Sequence, residues 1–215
     1  MNAVVFLWLL LSIFAAFLWA PAAAQFIGQS SRIVFFHVPM AWIASLAFLI
    51  SGWQSLRFLK TRDLAHDRKA KVAVRQGLLF AFLATVTGSI FAKVMWGSYW
   101  NWDPREISIT MLLFIYAAYL VLRSAVDDPL RRASLSAVYA LFAFVTMPFF
   151  VFIIPRVYFS LHPDTLINAR GKIGMEGRIL VTFLASLAGF TGFYVLLYRL
   201  ECRLEELLWA KGEIV

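Results

Sequence analysis

The chain has 215 residues, 62% of them hydrophobic and only 15% charged, with a mean hydropathy of +0.78. Soluble domains average nearer half apolar and a quarter charged, so this balance excludes a soluble enzyme and defines an all-α integral membrane protein. The net charge of +8 falls between the apolar runs and not on a folded patch, which does not support nucleic acid as a partner. The single cysteine, Cys202, has no partner for an internal disulfide or for a CxxC motif.

The first apolar run covers residues 3–20 and is followed by Pro21-Ala22-Ala23-Ala24. An Ala-x-Ala ending invites a signal-peptide reading, but no Lys or Arg precedes the run, which also exceeds the usual h-region of about 7–15 residues. An uncleaved first helix is expected. A more polar connector at 25–37 ends in Phe36-His37-Val38-Pro39, and span two covers about 38–59. The stretch 57–75 carries seven Lys and Arg and reads as a cytoplasmic loop, with His66 as a solvated side chain within it. Span three covers about 76–95, with Lys93 near its end able to snorkel.

The loop 96–106 follows, closing on Asp103-Pro104-Arg105-Glu106. That string predicts a helix start, with Asp at the N-cap, Pro at N1 and Glu at N3. Span four is about 107–122. The loop 123–134 holds Arg123, Asp128-Pro129, Arg131 and Arg132, and span five is about 135–154, kinked by Pro148. The loop 155–178 carries Leu161-His162-Pro163-Asp164, and span six is about 179–198. The tail, 199–215, has charges at helical spacing over 201–209 and reads as a short interfacial or cytoplasmic helix.

With 57–75 inside, thirteen of the twenty Lys and Arg fall on the cytoplasmic side. A single polytopic domain over 1–215 results, with six spans and both termini cytoplasmic. The loops 25–37, 96–106 and 155–178 face outward.

The outward loop Trp96-Gly97-Ser98-Tyr99-Trp100-Asn101-Trp102 packs four large aromatics into seven residues. Interfacial anchoring uses such rings singly; this density predicts a flat surface for a large planar apolar ligand. Of three histidines, His37 and His162 lie on the same face as that surface, each at a span boundary.

The string WGSYWNWDPRE resembles the tryptophan-rich WWD signature of haem-handling proteins in cytochrome c maturation, a family that includes CcmC, CcmF and CcsA. The resemblance extends over essentially the whole chain. It implies that His37, in His-Val-Pro, and His162, in Leu-His-Pro, are the two axial haem ligands. Imidazole is an ordinary axial donor, and two would fill both positions of a non-covalent, transient haem b. Trp96, Gly97, Tyr99, Trp100, Trp102 and Asp103 would form the haem platform, with Arg105 and Arg156 pairing with propionates.

Chain length and the absence of a histidine inside a span agree with the CcmC type; the spelling Ser-Tyr-Trp-Asn-Trp-Asp-Pro-Arg-Glu is closer to CcsA. The resemblance therefore implies a haem-delivery subunit in the bacterial cytoplasmic membrane. Its expected partners are a CcmE-like haem chaperone, a CcmD-like small subunit and the ABC components CcmA and CcmB. No Walker A string occurs, so ATP hydrolysis belongs to those partners and this chain is not itself an enzyme. The alternative is a component of a CcsA-type holocytochrome c synthetase that presents haem directly to apocytochrome c. A third reading is a haem-free transporter or quinone-binding protein, with the tryptophans as headgroup anchors.

Overall fold

The computed structural model describes residues 2–22, 28–162 and 174–212. Residues 23–27 and 163–173 lie outside it, and with them parts of two loops expected to face outward, including Pro163 and Asp164 of the sequence reading.

Helix α1 (Asn2–Phe14) widens into a π turn (Ala15–Trp19) that ends before Pro21. A 3-10 turn (Gln29–Ile33) leads into α2 (Val34–Thr61). Then come α3 (Leu64–Trp96), α4 (Pro104–Ser124) and α5 (Pro129–Pro148). A second π turn (Phe149–Ile153) joins α5 to the short α6 (Ile154–Val157), and α7 (Gly177–Ala210) follows. Six of the described helical segments are long and apolar enough to cross a membrane. Their lipid-facing sides carry exposed Leu7, Trp42, Phe82, Phe114, Phe142 and Leu184.

Helix α2 lies at the centre, against α3, α5 and α7, while α1 packs on α7. The core joins Ile43, Phe48, Phe80, Leu112, Tyr116 and Tyr194. Phe48 and Tyr116 stack with ring centroids 3.6 Å apart. Gly77 makes room for that pair, since a Cβ there would stand 2.5 Å from the Phe48 ring.

Three readings from the sequence are corrected. The stretch 57–75 is almost wholly helical. Arg62, left-handed at φ 59°, ends α2, and Asp63 caps α3 by accepting from the Ala65 amide at 2.8 Å. With 33 residues, α3 is about 50 Å long, well beyond a hydrocarbon core of about 30 Å, so its basic first turns project past the apolar layer. The expected separate helix over 201–209 is the continuation of α7, held to α3 by Lys71–Glu205 at 2.7 Å and Arg75–Glu201 at 3.3 Å. His66 is not simply solvated: its Nδ1 lies 2.8 Å from Gln54 Oε1. At Pro148 the α-helix gives way to the π turn, because proline has no N–H to continue the ladder.

Candidate functional site: two imidazoles beneath an aromatic loop

Alternation of the spans brings the start of α2, the end of α3, the start of α4 and the segment after α6 to one end of the bundle. The aromatic loop begins where Gly97 closes α3 in the left-handed region at φ 81°, a conformation that suits glycine. Lys93 reaches up from α3 to donate to the Gly97 carbonyl at 2.8 Å, with its ammonium 5.5 Å from the Tyr99 ring centroid.

The other end of the loop is fixed by the capping box read from the sequence. Asp103 accepts from the Arg105 amide at 2.9 Å, and Glu106 reaches back to the Asp103 amide at 3.2 Å. The same Glu106 oxygen also accepts from the Asn101 amide at 2.8 Å. Trp102, between those two amides, is held at φ 57°, a left-handed conformation that costs a bulky residue about 1–2 kcal/mol. Its ring is 74% exposed and meets Trp100 edge-on at 6.1 Å. The clamp thus holds an apolar ring out of the protein against both strain and hydrophobicity.

His162 hangs from the same carboxylate. Ser160 donates to both oxygens of Asp103, at 3.0 and 2.9 Å, and the Leu161 amide donates to Oδ2 at 2.7 Å. His162 Nδ1 stands 3.2 Å from Asp103 Oδ1, in contact but outside good hydrogen-bond alignment. Its ring lies 5.3 Å from that of Trp96. Burial and the Arg105 guanidinium push the His162 imidazole below its ordinary value, with Asp103 opposing. Burial acts to raise the Asp103 carboxyl, but the amides of Arg105 and Leu161 and the Ser160 hydroxyl prevail and hold it low. A neutral imidazole beside an ionised carboxylate results.

His37 is in the first turn of α2 and not in the connector that the sequence suggested, because the helix already begins at Val34. Its Nδ1 is 3.0 Å from Thr87 Oγ1 on α3. The Thr87 hydroxyl commits its only proton to the carbonyls of Leu83 (2.8 Å) and Ala84 (3.1 Å), so it accepts from His37 Nδ1–H. That tautomer leaves the lone pair on Nε2. Gly88 lets the ring lie against α3, since a Cβ there would stand 3.0 Å from His37 Cε1.

His37, His162 and Arg105 are within electrostatic reach of one another. The structure therefore brings together His37, His162, Trp96, Asp103 and Arg105. Arg156 is placed otherwise: its Nη1 donates to the Phe152 carbonyl of its own turn at 2.8 Å. Thr87, Gly88 and Ser160 escaped the sequence reading, and the second contact of Glu106, to the Asn101 amide, did too. Only Glu106 left a local signal, as the N3 residue of the cap.

Among the described residues no three His, Cys, Asp or Glu side chains converge as a metal cage. Two imidazoles beside an aromatic surface suit instead a metal that brings its own planar ligand set.

Fold and site together define a multi-pass helical membrane protein with an aromatic loop, tied at both ends, beside a pair of imidazoles. The chain belongs to the CcmC family: the family model described as Heme exporter protein C matches residues 1–211. It is 33% identical over 178 residues to Heme exporter protein C of Bradyrhizobium diazoefficiens, covering 83% of this chain and 67% of that one. The protein of the same name from Haemophilus influenzae is 32% identical over 195 residues, 87% of this chain and 75% of that one. A putative cytochrome c biosynthesis ccmC-like mitochondrial protein of Arabidopsis thaliana is 27% identical over 187 residues, 87% and 70% of the two chains.

Proposed function

We propose that this chain handles haem in cytochrome c maturation. In this reading it holds haem b non-covalently at the outer face of the bacterial cytoplasmic membrane and presents it to a CcmE-like chaperone. The observation that carries the reading is the pair His37 and His162, 125 positions apart in sequence, gathered at one end of the bundle beside Trp96. Each has its Nδ1 side against a protein oxygen, Thr87 Oγ1 or Asp103 Oδ1, the arrangement that orients an imidazole for metal ligation through the other nitrogen. The family match along 1–211 favours delivery to a chaperone over direct presentation to apocytochrome.

Haem is cargo here, and the chain's own residues bind and orient it. His37 and His162 supply the axial nitrogens, and Trp96, Tyr99, Trp100 and Trp102 give the apolar surface. Gly97 and Asp103 fix the ends of that platform. Arg105 is the favoured propionate partner; Arg156, with Nη1 donating to the Phe152 carbonyl, would join it through its remaining donors. The role is transport and not bond-making by a side chain, with CcmD-like, CcmA and CcmB subunits as partners and ATP hydrolysis left to the ABC components. The excess of basic residues at the opposite end supports an outward-facing site.

Gel filtration of detergent-purified protein mixed with haemin tests this. Wild type should retain haem in stoichiometric amount and a His37→Ala/His162→Ala double variant should lose it. Wild type that elutes without haem overturns the reading.

A further inference from the structure

Three neighbours converge on the first turn of α2, the turn that carries His37. Arg32, in the 3-10 turn just before it, donates to the Ala16 and Ala20 carbonyls at the end of the first π turn. Thr87 on α3 meets the imidazole itself. The third neighbour is α7, whose Ser186 hydroxyl donates to the main-chain carbonyl of Phe35. That contact joins residues 151 positions apart in sequence.

Pro39 explains why a carbonyl inside a helix is open to a side chain from another helix. In an α-helix the carbonyl of residue 35 accepts from the N–H of residue 39, four positions on. Proline has no N–H, and its ring crowds the carbonyl four residues back. The Phe35 carbonyl has therefore lost its ordinary helical donor. Water does not replace that donor, since Phe35 and Ser186 are each only 2% exposed. Phe35 is packed instead with the apolar Ala16, Ala20 and Phe183. Inside a membrane a hydroxyl from a neighbouring helix is one of the few groups that can satisfy a carbonyl freed by proline. Ser186 supplies it.

His37 sits midway in this arrangement, two residues after Phe35 and two before Pro39. A helix bends most readily where proline removes a ladder bond, and a bend here would swing the imidazole away from Thr87. We propose that Ser186 is a positioning residue for His37. By tying the Phe35 carbonyl to α7, it fixes the turn that sets the orientation of the imidazole and of its Nε2 lone pair. Ser186 acts through the backbone of α2 and needs no contact with the ligand. What the orientation serves, axial ligation, rests on the haem reading; the anchor itself is observable without haem.

The test is NMR of the full chain in detergent, haem-free and at one pH, with isotopic nitrogen in its three histidines. Wild type should show His37 as a single Nδ1–H tautomer, its signals assigned by their loss in His37→Ala. Ser186→Ala should shift them toward a mixture of tautomers while His66 and His162 stay in place. Ser186→Thr, which keeps the hydroxyl, should restore the wild-type pattern. With haemin added, Ser186→Ala should show a high-spin fraction that wild type lacks. If S186A does not fold, Pro39→Ala should rescue it, because the restored N–H takes over the Phe35 carbonyl. A Pro39→Ala/Ser186→Ala protein with disturbed His37 signals would overturn the proposal. Unchanged His37 signals in S186A would also overturn it, as would equal disturbance of all three histidines, which would place the effect in general packing. Disturbed His37 signals in S186A, in a protein whose wild type binds no haem, would keep the anchor and remove the haem reading.

Discussion

Oδ1 of Asp103 stands 3.2 Å from Nδ1 of His162, and the same carboxylate caps α4 and receives Ser160 and the Leu161 amide. One buried side chain thus ties the aromatic loop to the second histidine. Asp103→Asn keeps the shape but weakens hydrogen bonds to a charged acceptor, which contribute about 1.5–3 kcal/mol each. The expected outcome is a stability loss of about 2 kcal/mol in urea titration together with a partial low-spin to high-spin change in the haem spectrum. A change in stability with an unaltered spectrum would reduce Asp103 to a helix cap.

Thr87 should act through His37 alone. Thr87→Val removes the acceptor of Nδ1–H at nearly constant volume, and Thr87→Ser restores it. The haem midpoint potential should shift in the Val variant and return in the Ser variant. A potential that moves equally in both would place the effect in packing.

Gly88→Ala separates the site from the fold. A helix interior favours Ala by about 1 kcal/mol, yet its Cβ would stand 3.0 Å from His37 Cε1. Thermal stability should hold or rise while low-spin haem is lost. Retention of the wild-type spectrum would mean that the ring is free to move aside.

Trp102→Gly makes the complementary separation. It relieves the left-handed strain at φ 57° and removes a ring that is 74% exposed, so stability should change by less than about 1 kcal/mol. Haem affinity, followed by titration with haemin, should fall by an order of magnitude or more, about 1.4 kcal/mol. Unchanged affinity would remove Trp102 from the platform.

The pH dependence follows from His162. Its imidazole is held below the ordinary 6.5, so the unfolded chain takes up the proton first as pH falls. The stability it contributes is complete above 6.5 and is lost as pH falls through the lower folded value. Asp103, held below its ordinary 3.8, stays ionised throughout that window. Haem retention should be flat from pH 8 to below 6.5 and fall only beyond it. A midpoint at or above 6.5 would contradict this environment for His162.

The sequence made some of this legible because some of it is local. Asp103-Pro104-Arg105-Glu106 announces its capping box within four residues, and the structure has it. The apolar runs reveal six membrane-capable helices by length and composition alone. Thr87 and Gly88 carry no such signal: they matter because α3 passes His37, fifty positions away, and no spacing rule connects them. The charges over 57–75 and 201–209 suggested loop and separate helix. Only the two-residue turn at Arg62 and Asp63 interrupts the helices there, and ion pairs between α3 and α7 carry both past the apolar layer. The contact that holds the His162 segment left no local signal either, since its acceptor, Asp103, comes from a different loop.

The central claim is that His37 and His162 ligate one haem under the aromatic loop. The most direct measurement is the visible spectrum, ferric and dithionite-reduced, of wild type, His37→Ala and His162→Ala, each with and without added imidazole. Wild type should be six-coordinate and low-spin, the single variants high-spin, and low spin should return when imidazole fills the vacated position. Bound haem with a spectrum indifferent to both substitutions would contradict it.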